Sequence, residues 1–204
     1  MGTRLGLAYR SMINHKVDGS VTYTNAEQFG GLAFNNGDAN AELTLPETVS
    51  ASFYHDINDK WAWMGDYTWT RWSRFQELTF NYPGNFPGSG TNTYNWEDSS
   101  RFALGANYKF TPAFMLRLGA AYDNTPIPSP ELRAARVPGN DRTWASIGFN
   151  WQVSKTVGVD VGYSHLFVDD TKINNSESTP PGATLTGTYD SSVDILSVGL
   201  VWDF

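Results

Sequence analysis

Arg101–Phe110 reads RFALGANYKF, and Phe114–Asp123, just beyond Thr111-Pro112-Ala113, reads FMLRLGAAYD. In the first run Phe102, Leu104, Ala106, Tyr108 and Phe110 alternate with Arg101, Ala103, Gly105, Asn107 and Lys109. In the second, Phe114, Leu116, Leu118, Ala120 and Tyr122 alternate with Met115, Arg117, Gly119, Ala121 and Asp123. A period of two is the periodicity of a strand, and two such runs across a proline-containing turn predict an antiparallel hairpin. The contents of the two sides decide what kind of sheet this is. The apolar side carries its aromatics at the strand ends. The other side carries Arg, Asp, Asn and glycine, where a soluble barrel would place branched aliphatics.

The same pattern recurs along the chain. Thr143, Ala145, Ile147, Phe149 and Trp151 oppose Arg142, Trp144, Ser146, Gly148 and Asn150. Val157, Val159, Val161, Tyr163 and Phe167 oppose Gly158, Asp160, Gly162 and Ser164. Leu196, Val198, Leu200, Trp202 and Phe204 oppose Ser197, Gly199, Val201 and Asp203. Earlier strands read less cleanly near 3–22, 40–56 and 61–80, and Pro46 predicts a bulge or a weakly paired position in the second. The total is about eight antiparallel strands in a meander. Connections near Asn58-Asp59-Lys60, Thr111-Pro112 and Ser154-Lys155 are short, whereas those near 24–38, 82–94, 124–140 and 171–187 are long and rich in Gly, Pro, Asn and Ser. Short and long alternate, so the short turns fall at one end of the sheet and the long loops at the other, the layout of an outer-membrane barrel.

Composition agrees. In 204 residues, one domain spanning 1–204, only 17% are charged, and there are eight Trp, ten Tyr and twelve Phe. Trp61, Trp63, Phe110, Phe114, Trp151, Trp202 and Phe204 fall beside the short turns, and Tyr67, Trp69, Tyr122 and Phe167 toward the long loops. Rings with one wet side and one apolar side belong at a lipid–water boundary. Mean hydropathy is −0.39, which a transmembrane barrel tolerates because its two faces average out. The net charge of −7 argues against a nucleic-acid partner, because phosphate binding needs a basic face. With no cysteine, disulfides and thiolate chemistry are excluded. The opening MGTRLGLAYR enters a strand pattern directly, with no signal-peptide core and no cleavage site.

The segments LGLAYRS, AELTLPE, YTWTRWSRF, WEDSSRFALGANY, LRLGAAYDNTPIPSPELRAARVPGNDRTWASIGFNW and VDVGYSHLF follow in order. The chain resembles the FadL/TodX (OmpP1) family of outer-membrane transporters for long-chain fatty acids and other hydrophobic compounds. The resemblance covers essentially the whole chain, and RWSRF with DNTPIPSP and VPGNDR is its most specific part. It implies a C-terminal portion only: relatives are about twice as long, with about fourteen strands and an N-terminal hatch, so that the hatch and roughly the first six strands lie outside this match. It implies a bacterial outer-membrane location and passive diffusion of cargo, with capture near the outer surface, passage to a hatch-bounded pocket and lateral release at a kinked strand. Hatch and kink belong to the unmatched part.

Candidate cargo contacts are the polar-side aromatics near the mouth, Trp72, Phe75, Trp96 and Trp144, which as readily fill the wall. Arg101, Arg117 and Arg142 suit a carboxylate head group, or pair with Asp66, Asp123 and Asp160 across the lumen, because a guanidinium matches a carboxylate fork. The loop DNTPIPSPELRAARVPGNDR is conformationally restricted by its prolines and reads as a rigid lid or as a protease-resistant surface loop. Expected partners are outer-membrane lipid and lipopolysaccharide, a hydrophobic small-molecule cargo, and the outer-membrane assembly machinery through the C-terminal segment that ends in Phe204. No catalytic residue, metal site or cofactor is expected. His15, His55 and His165 are the only histidines, Ser164 and His165 face opposite ways, and Asp169-Asp170 reads as solvated loop. Two alternatives to a transporter remain at this point: an eight-stranded structural barrel that closes alone, and a soluble ligand-binding barrel.

Overall fold

The computed structural model describes residues 2–24, 36–81, 90–176 and 183–203. The strands are β1 (Thr3–Arg10), β2 (Ile13–Val21), β3 (Gly37–Leu45), β4 (Thr48–Asp56), β5 (Trp61–Thr70), β6 (Glu77–Asn81), β7 (Thr91–Thr93), β8 (Ser99–Thr111), β9 (Phe114–Asp123), β10 (Arg142–Gln152), β11 (Val157–Val168), β12 (Thr171–Asn175), β13 (Leu185–Tyr189) and β14 (Ser192–Trp202). One eight-stranded antiparallel sheet runs β1-β4-β5-β8-β9-β10-β11-β14. A four-stranded sheet, β2-β3-β6-β7, and the hairpin β12-β13 extend from its long-loop end.

The expected eight wall strands are therefore present, but the first three runs each divide in two. The run 3–22 breaks at Ser11-Met12 into β1 and β2, and 61–80 breaks at a single 3-10 turn, Trp72–Arg74. The run 40–56 breaks at Pro46-Glu47, where the sequence predicts a bulge or weak pairing. Glu47 explains the break: its carbonyl accepts from the Arg71 N–H at 3.0 Å, outside the β4 ladder. The segment 171–187, expected as loop, instead holds β12 and the start of β13. Loops 24–38 and 82–94 lie mostly outside the described residues, and so does Phe204.

Register fixes the faces, because directly opposed residues point the same way. One row runs Leu5, Phe53, Gly65, Leu104, Ala120, Ala145, His165 and Asp194. This apolar face is bare: Leu5 is 82% exposed, Leu104 63% and Leu196 72%. At the short-turn end its aromatics touch one another in a girdle, Trp61–Tyr108 (4.6 Å), Tyr108–Phe110 (4.6 Å), Phe110–Phe114 (6.1 Å) and Phe114–Phe149 (5.6 Å). Toward the long loops Tyr67 stacks near Phe102 at 4.7 Å. Toward the long-loop end of this face His165 Nδ1 lies 2.8 Å from Asp194 Oδ1.

The opposite face is polar and shallow. Gly148 faces Gly162 across β10 and β11, and a Cβ on Gly148 would come within 2.7 Å of the Val161 carbonyl oxygen. Serines bridge strands at Ser146–Ser164 (2.8 Å). The greasy groups thus point away from the ionic ones, and they do not converge on a dry centre; the soluble-barrel reading is corrected by this arrangement. Most of the core sits at the long-loop end, where Phe75, Tyr94, Ile127, Leu166 and Ile173 are buried. Among the described residues β1 pairs only with β4 and β14 only with β11, so the sheet is open and these two strands are its edges.

Candidate functional site

The mouth of the polar face is built from the segment Arg71–Phe75. Glu47, 7% exposed, receives Arg71 Nη1 at 3.0 Å and Arg74 Nε and Nη2 at 2.5 and 2.9 Å. Arg74 beside it holds the Glu47 carboxyl far below its usual range, at about 2. This fork turns the chain out of β5 and presents Trp72 and Phe75. The Gln76 carboxamide donates to the Ser73 and Trp96 carbonyls at 2.7 and 3.1 Å, tying the turn to the segment that links β7 to β8. There Asn95 takes the left-handed conformation that asparagine tolerates (φ 46°), and the N–H groups of Tyr94 and Asn95 both donate to the Gln76 carbonyl at 2.7 and 2.9 Å.

The result is an aromatic cluster. Trp72 meets Trp96 edge-on at 4.9 Å, Phe75 meets Trp96 at 4.8 Å, and Tyr94 lies 4.6 Å from Phe75. Three of the four aromatics singled out by sequence, Trp72, Phe75 and Trp96, are brought together, and Trp144 is not among them. Tyr94 was missed. Its signal was available: in TNTYNW, Tyr94 precedes Trp96 by two and shares its side of an alternating run.

Trp144 lies lower, on β10, with the Arg101 guanidinium 5.3 Å from its ring centre. All three arginines have aspartate partners on the polar face: Arg101–Asp66 at 3.5 Å, Arg117–Asp160 at 2.7 Å and Arg142–Asp123 at 3.0 Å. A concavity of about 480 Å³ is lined by Arg117 and Asp160 together with Gly119, Gly148, Gly162 and Gly199 and by neighbouring residues of both faces of the sheet. At Gly148 and Gly162 the neighbouring atoms come so close that a side chain would clash, a Cβ on Gly162 meeting Ser197 Oγ at 2.9 Å.

Above the mouth, the proline-rich loop is pinned. Arg133, 5% exposed, donates Nε to the Gly139 carbonyl at 3.2 Å and Nη1 to the Lys172 carbonyl. Burial pushes its guanidinium below the usual arginine range. Asn175 Nδ2 donates to the Glu131 carbonyl at 2.6 Å, and Asn140 Nδ2 to the Asp170 carbonyl at 3.0 Å. Thr171, Ile173 and Asn175 of β12 are buried under this loop. Asp169 and Asp170 therefore frame the loop base through their carbonyls. No group of metal-ligating side chains occurs among the described residues.

An eight-stranded antiparallel wall with a lipid-type outer face, an aromatic girdle and an ion-paired inner face defines an outer-membrane β-barrel protein. The chain belongs to the outer membrane protein transport protein family (OMPP1/FadL/TodX), whose sequence profile matches residues 2–204. It is 28% identical to a putative outer membrane protein of Neisseria meningitidis serogroup B, over 98% of this chain and 47% of that protein. It is 31% identical to the long-chain fatty acid transport protein of Escherichia coli K12, over 84% of this chain and 40% of that one. Among solved structures it superposes on a Pseudomonas aeruginosa FadL homologue with a TM-score of 0.85 and 29% identity, covering 99% of this chain and 49% of that one. The toluene transporter TodX of Pseudomonas putida shares the fold at a TM-score of 0.59 and 15% identity, over 98% of this chain and 45% of that chain. The chain thus spans about half the length of the relatives it matches. Its location is the bacterial outer membrane.

Proposed function

We propose that this chain is wall and mouth of a channel that moves hydrophobic compounds, long-chain fatty acids or aromatic hydrocarbons, through the outer membrane by passive diffusion with lateral release into the bilayer. The observation that carries the reading is the contrast between the two faces of the eight-stranded sheet. An ion-paired inner wall gives an acyl chain no favourable path down the axis, since each CH₂ left in water costs ~0.8 kcal/mol. An apolar mouth followed by sideways exit avoids that cost. Trp72 and Trp96, backed by the buried Phe75 and Tyr94, supply an apolar mouth, and the Arg133-pinned loop is a fixed roof beside it.

Names of relatives support the cargo class: one is a long-chain fatty acid transport protein, another a toluene transporter. Passage needs no covalent chemistry, so the reading assigns no catalytic residue. The apolar face takes outer-membrane lipid and lipopolysaccharide as its surroundings, and the C-terminal segment ending in Phe204 is the site we assign to the assembly machinery. The observed pairing, with β1 and β14 at opposite edges, lends no support to a wall that closes on itself as a purely structural barrel.

The test is growth. The full-length protein, expressed in a Gram-negative strain deprived of its own channel for hydrophobic compounds, restores growth on oleate or on toluene as carbon source. Normal outer-membrane insertion without restored uptake of either would refute the proposal.

A further inference from the structure

The Glu47 fork lies on the membrane side of the wall. Its backbone bond, from the Arg71 N–H to the Glu47 carbonyl, continues the β4–β5 register one step past Thr48 and Thr70. Alternation therefore sets Glu47 above Val49, Ala51 and Phe53, and Arg71 above Trp69, Tyr67 and Gly65, on the apolar face. Trp72, the next residue, belongs to the mouth cluster on the other side. Arg74 reaches the same carboxylate, so two guanidinium groups stand side by side at the long-loop margin of the lipid-facing surface. In an outer-membrane barrel that margin meets the outer leaflet. Over β10 and β14 the same face carries carboxylates instead, Asp141 and Asp194, which accept from the Tyr122 and Tyr163 hydroxyls.

The fork leaves binding capacity unused. Two guanidinium groups share one carboxylate, which leaves positive charge in excess. A guanidinium has five N–H donors, and Arg71 commits Nη1 to Glu47. The Arg71 and Arg74 side chains are 47% and 37% exposed, whereas that of Glu47 is 9% exposed. The buried carboxylate is thus an internal brace that holds two partly exposed forks in place. Planar forks of this kind match phosphate oxygens in pairs.

Below the arginines, on the same face, lies an apolar concavity of about 490 Å³. Leu5, Ala51, Phe53, Tyr67, Phe102 and Leu104 line it, together with residues of the opposite parity between them. Gly65 belongs to the same lining, and a Cβ there would meet Phe53 Cε1 at 2.6 Å and Leu104 Cδ2 at 3.0 Å. Glycine at this position lets those two side chains settle against the backbone. From Arg71 down to Tyr67 is ~13 Å of strand, covered by Trp69 and its partner Val49.

We infer that Arg71, Arg74 and this concavity form a docking site for a phosphorylated, multiply acylated glycolipid of the outer leaflet, the lipid A part of lipopolysaccharide. A phosphate takes the uncommitted N–H groups of the arginines, the sugar covers Val49 and Trp69, and an acyl chain lies in the hollow between Leu5 and Leu104. Charge and depth agree with this occupant: the basic pair stands at head-group height, and the hollow opens deeper, where hydrocarbon begins. The occupant is this lipid rather than a phosphoglyceride because the arginines stand at the outer margin, and lipopolysaccharide makes up that leaflet. The inference rests on the reading of this face as lipid-facing and is independent of what the channel carries.

Native mass spectrometry of the full-length protein, released from non-ionic detergent, reads bound lipid against added lipid A. The comparison lipids are dephosphorylated lipid A, which keeps the acyl chains, and phosphatidylglycerol. The wild type is expected to hold lipid A about tenfold tighter or more than either, the usual worth of hydrogen bonds to a charged group. Arg71→Gln leaves Arg74 on Glu47; it is expected to lose that preference and to bind the dephosphorylated lipid as the wild type does. Ala51→Phe keeps the face apolar but fills the hollow, and is expected to weaken both glycolipids. Heat-modifiable gel mobility confirms that each variant is a folded barrel. Undiminished lipid A binding by Arg71→Gln overturns the inference. Equal loss for the dephosphorylated form makes the fork a structural brace and also overturns it. Undiminished binding by Ala51→Phe removes the acyl seat, and a wild type that holds phosphatidylglycerol as tightly as lipid A removes the glycolipid; either result overturns the site. These failures leave the lipid-facing side in place. That reading falls separately, and the site with it, if position 104 proves open to water in vesicles.

Discussion

Leu104→Arg set against Ala103→Arg places the same charge on the two faces of one strand. Leu104 is 63% exposed on the apolar face, and its register partners Gly65 and Ala120 offer no counter-charge. An arginine at the bilayer midplane of a barrel costs ~2–4 kcal/mol. At about 1.4 kcal/mol per tenfold, that is a shift of about 30-fold to several hundred-fold in the folding equilibrium. Ala103 faces the other way, opposite Asp66 and Ala121. A guanidinium there gains a hydrated carboxylate neighbour, and the change is expected to stay within ~1 kcal/mol. Urea unfolding of the full-length protein in phospholipid vesicles, followed by tryptophan fluorescence, reads both. Ala103→Arg destabilising as much as Leu104→Arg would refute the assignment of faces.

Other consequences follow from the mouth and the roof. Glu47 has a carboxyl depressed to about 2 in the fold. Such a group stabilises the folded state fully above the ordinary carboxylate value of 4.5, and the contribution fades as pH falls toward about 2. Protection of β3 and β4 amides, taken relative to their intrinsic exchange at each pH, should therefore fall as pH drops between those limits, and Glu47→Gln should abolish that pH dependence. Arg133→Met leaves the Gly139 and Lys172 carbonyls without their donor. A buried unsatisfied acceptor costs ~1–3 kcal/mol, so the loop at 124–141 should be nicked by protease about tenfold faster or more; unchanged nicking would mean that Asn175 and Asn140 hold the loop without it. The 204-residue chain by itself, an open sheet, is expected to give no flux of labelled fatty acid in liposomes, and flux above empty vesicles would contradict this.

The wall was legible because strand periodicity is local and because the two sides of each run differ in kind. Short turns at Asn58–Lys60 and Pro112 needed only turn chemistry. The partition of the first three runs was not legible. The odd-numbered series of Leu5, Leu7 and Tyr9 skips only Ser11 before it resumes in phase at Ile13, His15 and Val17, although β1 and β2 belong to different sheets. What separates them is a long-range event: the Glu47 fork with Arg71 and Arg74 redirects β3–β4 and β5 together. The hairpin β12–β13 was hidden for another reason. Its buried residues include Thr171 and Asn175 as well as Ile173, so the inward side reads as polar. Only the loop folded over it makes that side a core.

The arginine–aspartate pairs could be guessed from shared parity, because ionic groups on one face of adjacent strands must find each other. The separation of Trp144 from the other three aromatics could not. Trp72, Phe75 and Trp96 converge through a 3-10 turn and the left-handed Asn95, neither of which alternation encodes. Trp144 sits inside a regular strand, held in place by its register with Ala121 and Leu166.

The absence of cysteine lets a single label be introduced anywhere without a background. Cysteines placed one at a time from Arg101 to Phe110, each carrying a nitroxide, report access to oxygen, which concentrates in lipid, and to a water-soluble nickel chelate. With the full-length protein in vesicles, labels at Phe102, Leu104, Ala106 and Tyr108 are expected to be reached by oxygen, and those at Arg101, Ala103, Gly105 and Asn107 by nickel. The same alternation in the opposite phase, or none, would contradict the account.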